Sequence, residues 1–265
     1  MRAVWRIAVL VGLSALSLQL FFMARIALMA VVDPQSTSFQ RSEFARILRT
    51  EGRVGWRQEW VPGERISDHL RRAVIASEDA NFADHHGVEW DALQNAWKKN
   101  TAAQARAERQ RAEAMARYQR AVERARRRGR PDPAPPDAAQ ATPKVIGGST
   151  ITQQLAKNLF LSGERNFLRK GQEFAITFML EGLLSKQRIL DIYLNNVEWG
   201  EGVFGAQAAS RQYFDVDAAR LAPMQAARLA VMLPAPKRFE RQPGSGYLVG
   251  RAGTIVARMG AVELP

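Results

Sequence analysis

From Ile7 to Ala24 the chain runs without a charge, and after Arg25 the apolar run resumes from Ile26 to Val32. Eighteen or more such residues reach across the hydrocarbon core of a bilayer as a helix. Ser14, Ser17 and Gln19 are tolerable inside it, and Arg25 lies near one end, where its long stem lets the guanidinium snorkel outward. Arg2 and Arg6 precede the run, which puts the N-terminus in the cytoplasm and everything after the run outside. The competing reading is a cleaved signal peptide. The run is long for one, and no clean small-x-small cleavage site follows it. The sequence therefore predicts a cytoplasmic tip and single transmembrane anchor over residues 1–32, with one further domain over 33–265.

That remainder is long enough for one domain, and a hydrophobic fraction of 46% is ample for a core. The chain has no cysteine, which excludes disulfides and thiolate metal sites and merely permits an oxidising compartment. Net charge is +12, and ten Arg against three Glu between Arg106 and Arg130 supply +7 of it. A basic chain is compatible with a solvated surface, nucleic acid, anionic headgroups or a phosphate-bearing substrate. The adjacent anchor favours the membrane surface.

Residues 33–72 form a polar, mixed approach segment. Glu64 to Leu70 looks like a helix start, with Ser67 or Asp68 as cap. Asp91 to Asn100 reads as a helix with Ala92, Leu93, Ala96 and Trp97 on one side. Gln104 to Arg130 is almost only Ala, Arg, Glu and Gln, so helix propensity is very high. Its apolar stripe, Met115, Tyr118 and Val122, is thin, and Pro131 to Pro136 ends it. We read residues 104–143 as an insertion protruding from the domain: either a solvated helix without function or a contact with anionic headgroups or a partner protein. After Lys144 the pattern is helical. Ile151, Leu155 and Leu159 mark one helix; Phe174, Phe178 and Glu181 to Leu184 a second; Ile189, Ile192 and Tyr193 a third. Pro223 stands near the start of a last one, where a missing N–H costs little, and Pro234 ends it. No sustained alternation and no hairpin signal occur, so the domain should be mainly α.

Three blocks carry chemistry. Glu78-Asp79 closes the apolar run Ala73 to Ala76, just before a turn. A glutamate partly buried there is poorly solvated, its pKa should rise, and it becomes a plausible proton acceptor near neutral pH. The second block runs from Gly147-Gly148-Ser149-Thr150 to Lys157-Asn158. Gln153 stands three after Thr150, which fits a capping box, and a helix start exposes N–H groups that suit phosphate. Gln153 and Lys157 lie one turn apart, away from Ile151 and Leu155, so one face packs while the other offers amides and an ammonium. The plain alternative is an ordinary amphipathic helix. In the third block Arg169 and Glu173 stand at i, i+4, worth only tenths of a kcal/mol if exposed. His85 and His86, near Asp84 and Glu89, invite a metal site. A ligand set needs three or more convergent groups and His69 is the only other histidine, so we assign no metal and expect one histidine to hold the turn by hydrogen bonds.

In combination these blocks resemble the peptidoglycan glycosyltransferases, glycosyltransferase family 51. They read Glu-Asp-x-x-Phe-x-x-His-x-Gly from Glu78, Gly-Gly-Ser-Thr-Ile-x-Gln-Gln-x-x-Lys-Asn from Gly147, and Arg-Lys-x-x-Glu from Arg169, in the family's order. Lys186 to Asn195 looks like the fourth motif, and Ala226 to Ala230 leading to Pro234-Ala235-Pro236 like the fifth. The likeness spans about Val54 to about Phe239 with one interruption, and the short chain resembles the family's monofunctional members. It implies a lysozyme-like helical lobe with a smaller membrane-proximal jaw. It implies lipid II and the growing glycan strand as substrates. The lipid II GlcNAc 4-hydroxyl would attack the MurNAc anomeric carbon of the strand, undecaprenyl pyrophosphate would leave, and the linkage would invert to β-1,4. Glu78 would be the general base, with Glu173 a second catalytic carboxylate that organises cations, its charged form favoured beside Arg169 and Lys170. Lys157, Arg165, Arg169 and Lys170 would face the pyrophosphate; Asp79, Ser149, Thr150, Gln153 and Gln154 would line the donor site. No cofactor is required, with room for a divalent cation such as Mg. Membrane lipids and other cell-wall synthesis or division proteins are candidate partners, and nucleic acid is not. The compartment implied is the bacterial inner membrane with a periplasmic catalytic domain.

Two departures stand out: the family's fourth motif usually carries Glu where this chain has Asp191, and the fifth usually carries Glu where it has Gln225. A lysozyme-like peptidoglycan-cleaving enzyme would also use one essential Glu, but needs no pyrophosphate-facing cations. A membrane-anchored basic scaffold protein would explain Arg106 to Arg130 but not the ordered motifs.

Overall fold

The computed structural model describes residues 2–52, 55–135, 147–161 and 167–265. They divide into two compact units, Met1–Val88 with Ser149–Pro265, and Glu89–Gly148.

The first unit begins with α1 (Arg2–Leu28), a helix long and apolar enough to cross a membrane. Most of it is bare: Val4, Trp5, Ile7 and Leu10 are exposed. One side of its C-terminal part is not. Phe22, Ile26 and Met29 enter the core, and the Phe22 ring meets Phe160 edge-on at 5.1 Å. Next comes α2 (Ser38–Glu51), which starts from a buried capping box in which Thr37 and Gln40 satisfy each other's backbone N–H. β1 (Arg57–Gln58) follows, then α3 (Asp68–Glu78), capped by Ser67 as its sequence suggests.

The second unit carries α4 (Trp90–Arg127), 38 residues without a break. The two helical stretches separated by composition are therefore one element. Ala, Arg, Gln and Glu on both sides of residue 104 are all good helix formers, so nothing there stops propagation. It ends before Gly129, whose φ is +62°, and the prolines beyond.

Back in the first unit run α5 (Ile151–Phe160), α6 (Phe167–Leu183), α7 (Lys186–Asn196), β2 (Glu198–Gly200), β3 (Val203–Phe204), α8 (Ala206–Phe214), α9 (Pro223–Met232), α10 (Pro236–Phe239) and α11 (Gly246–Met259). α3 is the pivot of the core. Leu70, Ala73, Val74 and Ile75 are buried in it, and α9 and α11 pack around the same helix. Ile151, Leu155 and Leu159 seat α5 against α6 and α7, at the spacing that one apolar face of a helix requires.

The unit is mainly α, but it holds a three-stranded sheet in the order β1-β3-β2, with β1 parallel and β2 antiparallel to β3. The β2–β3 hairpin is absent from the sequence reading because strands of two or three residues cannot display an alternating pattern. Its turn depends on Gly202, at φ +73°, where an added Cβ would overlap the carbonyl oxygen of Gly55.

Candidate active site

Glu78 is the last residue of α3 and Asp79 its C-cap. The carboxylate of Glu78 is half-buried and accepts a hydrogen bond from Gln154 Nε2 at 3.0 Å. Burial pushes its pKa up from the ordinary value, against hydrogen bonds from Gln154 and Ser77 that favour the charged form. Gln154 is itself fixed: Tyr193, fully buried on α7, donates its hydroxyl to Gln154 Oε1 at 2.9 Å. That bond decides which end of the amide faces Glu78.

Asp79 does different work. It is 4% exposed, holds His85 Nε2 at 2.8 Å, and accepts from the N–H of Ile151, the first residue of α5, at 3.0 Å. His85 takes the Gly87 N–H on Nδ1, so its own proton sits on Nε2 and is donated to Asp79. One histidine does hold the turn. The Thr150 hydroxyl caps the Gln153 N–H and donates to the carbonyl of Gly87 at 2.6 Å, while Gln153 Oε1 accepts from Thr150 N. The capping box exists, but it corrects one expectation. The N–H groups of Ile151 and Gln153 at the start of α5 are already taken by Asp79 and Thr150, so they do not form an open phosphate cradle. Asp79 and Thr150 are buried and join α3 to α5.

The remaining residues of the blocks converge. A cleft of about 430 Å³ is lined by Ser149, Gln153, Gln154, Lys157 and Asn158 from one side and by Arg169, Lys170 and Glu173 from α6. Gln153 Nε2 is buried without a hydrogen-bond partner among the described residues, and its residue lines this cleft. Glu173 is 4% exposed and paired with Arg169 Nη1 at 3.1 Å and with Lys170. The i, i+4 pair is therefore buried at its carboxylate end and partly buried at Arg169, and the carboxylate offsets part of the positive charge in the cleft wall. Glu78 does not line the cavity; it reaches the wall through Gln154. Arg165 lies outside the described residues.

Four lining residues escape the sequence reading: Leu161, just past α5, and Phe39, Ser42 and Glu43 of α2. Glu43 is held by Arg46 Nε at 2.8 Å and by Lys237. Lys237 also stands 3.5 Å from Glu198, a buried carboxyl pushed up to about 7 mainly by desolvation, with Lys237 opposing. The signal for α2 was present, in the Thr37-x-x-Gln40 box ahead of Phe44, Ile47 and Leu48, but these polar-flanked residues look like an approach segment.

Both departures from the motif pattern have local explanations. Asp191 is largely buried, with Arg71 Nη2 3.9 Å away and Gly63 so close that any added Cβ would overlap its carboxylate. A shorter acid suits that space. Gln225 Oε1 accepts from the N–H of Ala222 at the start of α9, 2.9 Å away, an acceptor role that needs no charge.

The model of the family described as Transglycosylase matches residues 45–110 and 136–260. The chain is 48% identical over 250 residues to the biosynthetic peptidoglycan transglycosylase of Burkholderia thailandensis, covering 94% of this chain and 83% of that protein. It is 45% identical over 251 residues to the protein of the same description from Bordetella pertussis, covering 95% and 90%. For that of Paraburkholderia xenovorans the identity is 43% over 265 residues, covering 100% and 94%.

Proposed function

The chain belongs to the transglycosylase family, and on that premise we propose that it polymerises peptidoglycan strands from lipid II. It is a peptidoglycan glycosyltransferase; the donor, acceptor and stereochemistry below are our reading of its site. The observation that carries it is the adjacency of two unlike features. One is a half-buried carboxyl at Glu78 with a raised pKa. The other is the cleft beyond Gln154, lined by Lys157, Arg169 and Lys170.

A sugar hydroxyl is a poor nucleophile, so a base must take its proton as the new bond forms. Glu78 takes the proton from the 4-hydroxyl of the lipid II GlcNAc. The oxygen attacks the MurNAc anomeric carbon of the growing strand, the bond to undecaprenyl pyrophosphate breaks, and α becomes β. Negative charge gathers on the departing pyrophosphate, and cations already in place stabilise it without reorganising. Lys157, Arg169 and Lys170 supply those cations, Glu173 holds Arg169 and Lys170 in position, and Ser149 and the Gln153 amide orient the donor. Arg165 joins the set on the motif match alone. A divalent cation such as Mg would act on the same pyrophosphate oxygens, and no step here depends on one.

We place α1 across the bacterial inner membrane, N-terminus inside and catalytic unit in the periplasm, supported by its length, its apolarity and Arg2 and Arg6. Holding enzyme and lipid-tailed substrate in one plane raises their effective concentration. The test is incubation of the purified full-length protein with lipid II. Long β-1,4 glycan with release of undecaprenyl pyrophosphate is expected. Cleavage of preformed glycan, or no product, would refute the reading.

A further inference from the structure

We propose that α4 carries a docking face for anionic phospholipid headgroups, formed by Arg106, Arg109, Arg117, Arg120, Arg124 and Arg127. At 3.6 residues per turn these six fall within an arc of about 80°. All six are exposed. Between Arg106 and Arg127 the arc contains one carboxylate, Glu113. Among the described residues none of the six arginines stands in an ion pair; the one such pair at this end of the helix is Arg126 with Asp132. Four of them turn Nε back onto their own helix. Arg106, Arg117, Arg120 and Arg124 each donate to the carbonyl four residues earlier, at 3.1 to 3.4 Å. All six side chains nonetheless remain exposed.

A solvated helix has no need of such a row. Alternating signs would stabilise it better, and like charges three and four residues apart cost helix stability. Arg120, Arg124 and Arg127 have that spacing. The face also lies largely outside what the family shares, because its model matches nothing between residues 110 and 136. It therefore answers to something other than the chemistry that the family model captures. An extended row of unneutralised guanidinium groups complements an extended array of phosphates, which arginine binds well. α1, in the same chain, favours a bilayer as the source of those phosphates over a soluble polyanion. The inference rests on anchoring by α1 and not on the reaction proposed above.

The absence of native cysteine allows a unique label on the full-length chain. Ala116→Cys, on the exposed flank of the row, would carry an environment-sensitive dye in proteoliposomes containing a nitroxide-headgroup lipid. Co-flotation with the vesicles reports anchoring separately. With vesicles of phosphatidylcholine and phosphatidylglycerol at 7:3 we expect strong quenching, and in pure phosphatidylcholine little. In 1 M salt, where the Debye length is about 3 Å, quenching should vanish. Each arginine near an anionic surface multiplies the docked population about fivefold. Arg120→Gln should therefore lower the docked-to-free ratio about fivefold, and replacing all six by Gln should abolish docking. Replacement of all six by Lys should preserve it. Circular dichroism of each variant checks that α4 is intact. Equal quenching in both lipids, quenching that survives the six Gln substitutions, or none in vesicles that co-float with the protein would overturn the proposal. A response to a DNA duplex but not to phosphatidylglycerol would assign the face to another polyanion and overturn it too.

Discussion

Replacing Glu78 by Gln should stop turnover while sparing the fold, and the surroundings of this side chain give the sizes. Gln154 Nε2 donates to Glu78 Oε2 at 3.0 Å. An amide carbonyl in the same place accepts that bond, and the volume is unchanged, so no cavity opens. Glu78→Ala differs, because it strands the Gln154 amide in a partly buried site at a cost of about 1–3 kcal/mol. In the folded protein burial raises the Glu78 carboxyl above its ordinary 4.5. The native state therefore holds this proton more tightly than the unfolded chain does. Ionisation costs stability, fully above the folded pKa and not at all below the unfolded one. Glu78→Gln removes that cost, so the variant should melt at or above the wild-type temperature at pH 8, with the gap closing towards pH 4. Loss of a general base costs about two to four orders of magnitude, or about 3–5 kcal/mol in the barrier. The assay is lipid II polymerisation across a pH series, beside binding of a donor analogue. Near-abolished turnover with intact donor binding is expected. Glu173→Gln should instead weaken donor binding, since its carboxylate holds Arg169 and Lys170. A Glu78→Gln enzyme slowed less than about tenfold, or one whose loss lies only in donor binding, would refute the base assignment.

Tyr193→Phe removes the bond that orients the Gln154 amide. Polymerisation should fall about tenfold, and the acidic limb of the pH–rate profile should move upward as Glu78 loses a hydrogen bond that favours its charge; an unmoved limb would contradict the relay. Lys157→Ala should cut kcat by about two to three orders of magnitude with an unchanged melting temperature, as for loss of a charge-stabilising donor; near wild-type polymerisation would count against this role. Glu198, moved from 4.5 to about 7, carries on the order of 3 kcal/mol of pH-dependent instability. Its folded pKa is raised, so stability should fall as pH rises from about 4.5 past 7, and Glu198→Gln should flatten that slope in denaturant titrations.

Much of this was legible in the sequence because the features involved are periodic or local. The cap at Ser67, the box at Thr150 and Gln153, the buried rows of α5 and α7, and the convergence of Ser149, Lys157 and Arg169 on one cleft follow from spacings of three and four residues or from motif order. What stayed hidden depends on approaches between distant segments. Asp79 reaches across 72 positions to cap α5, and that contact, with the local Thr150 cap on Gln153, turns an apparent phosphate cradle into an internal joint. Phe39, Ser42 and Glu43 face the cleft because α2 packs on α5, more than a hundred residues later in the chain, and Lys237, 194 residues beyond Glu43, holds that carboxylate. Tyr193 sits on the apolar stripe of α7, and its hydroxyl matters because of what lies opposite. The hairpin at Gly202 was too short to announce itself.

The junction between the anchor and α6 carries a consequence for elevation. Gln19 and Gln172 exchange two hydrogen bonds, at 2.8 and 3.1 Å, and Gln172 stands within one turn of Arg169, Lys170 and Glu173. With α1 across the bilayer as proposed above, the height of the cationic wall above the hydrocarbon would be set by the register of that helix, as a mark is set on a ruler. A lipid pyrophosphate has its own height, fixed by its tail. Slipping α1 by one turn would offset the two by about 5.4 Å, well beyond hydrogen-bond reach. Adjustment to bilayers of different thickness must then fall to the residues before Gln19, which can lengthen, shorten or tilt, while the stretch from Gln19 to Met29 keeps its length.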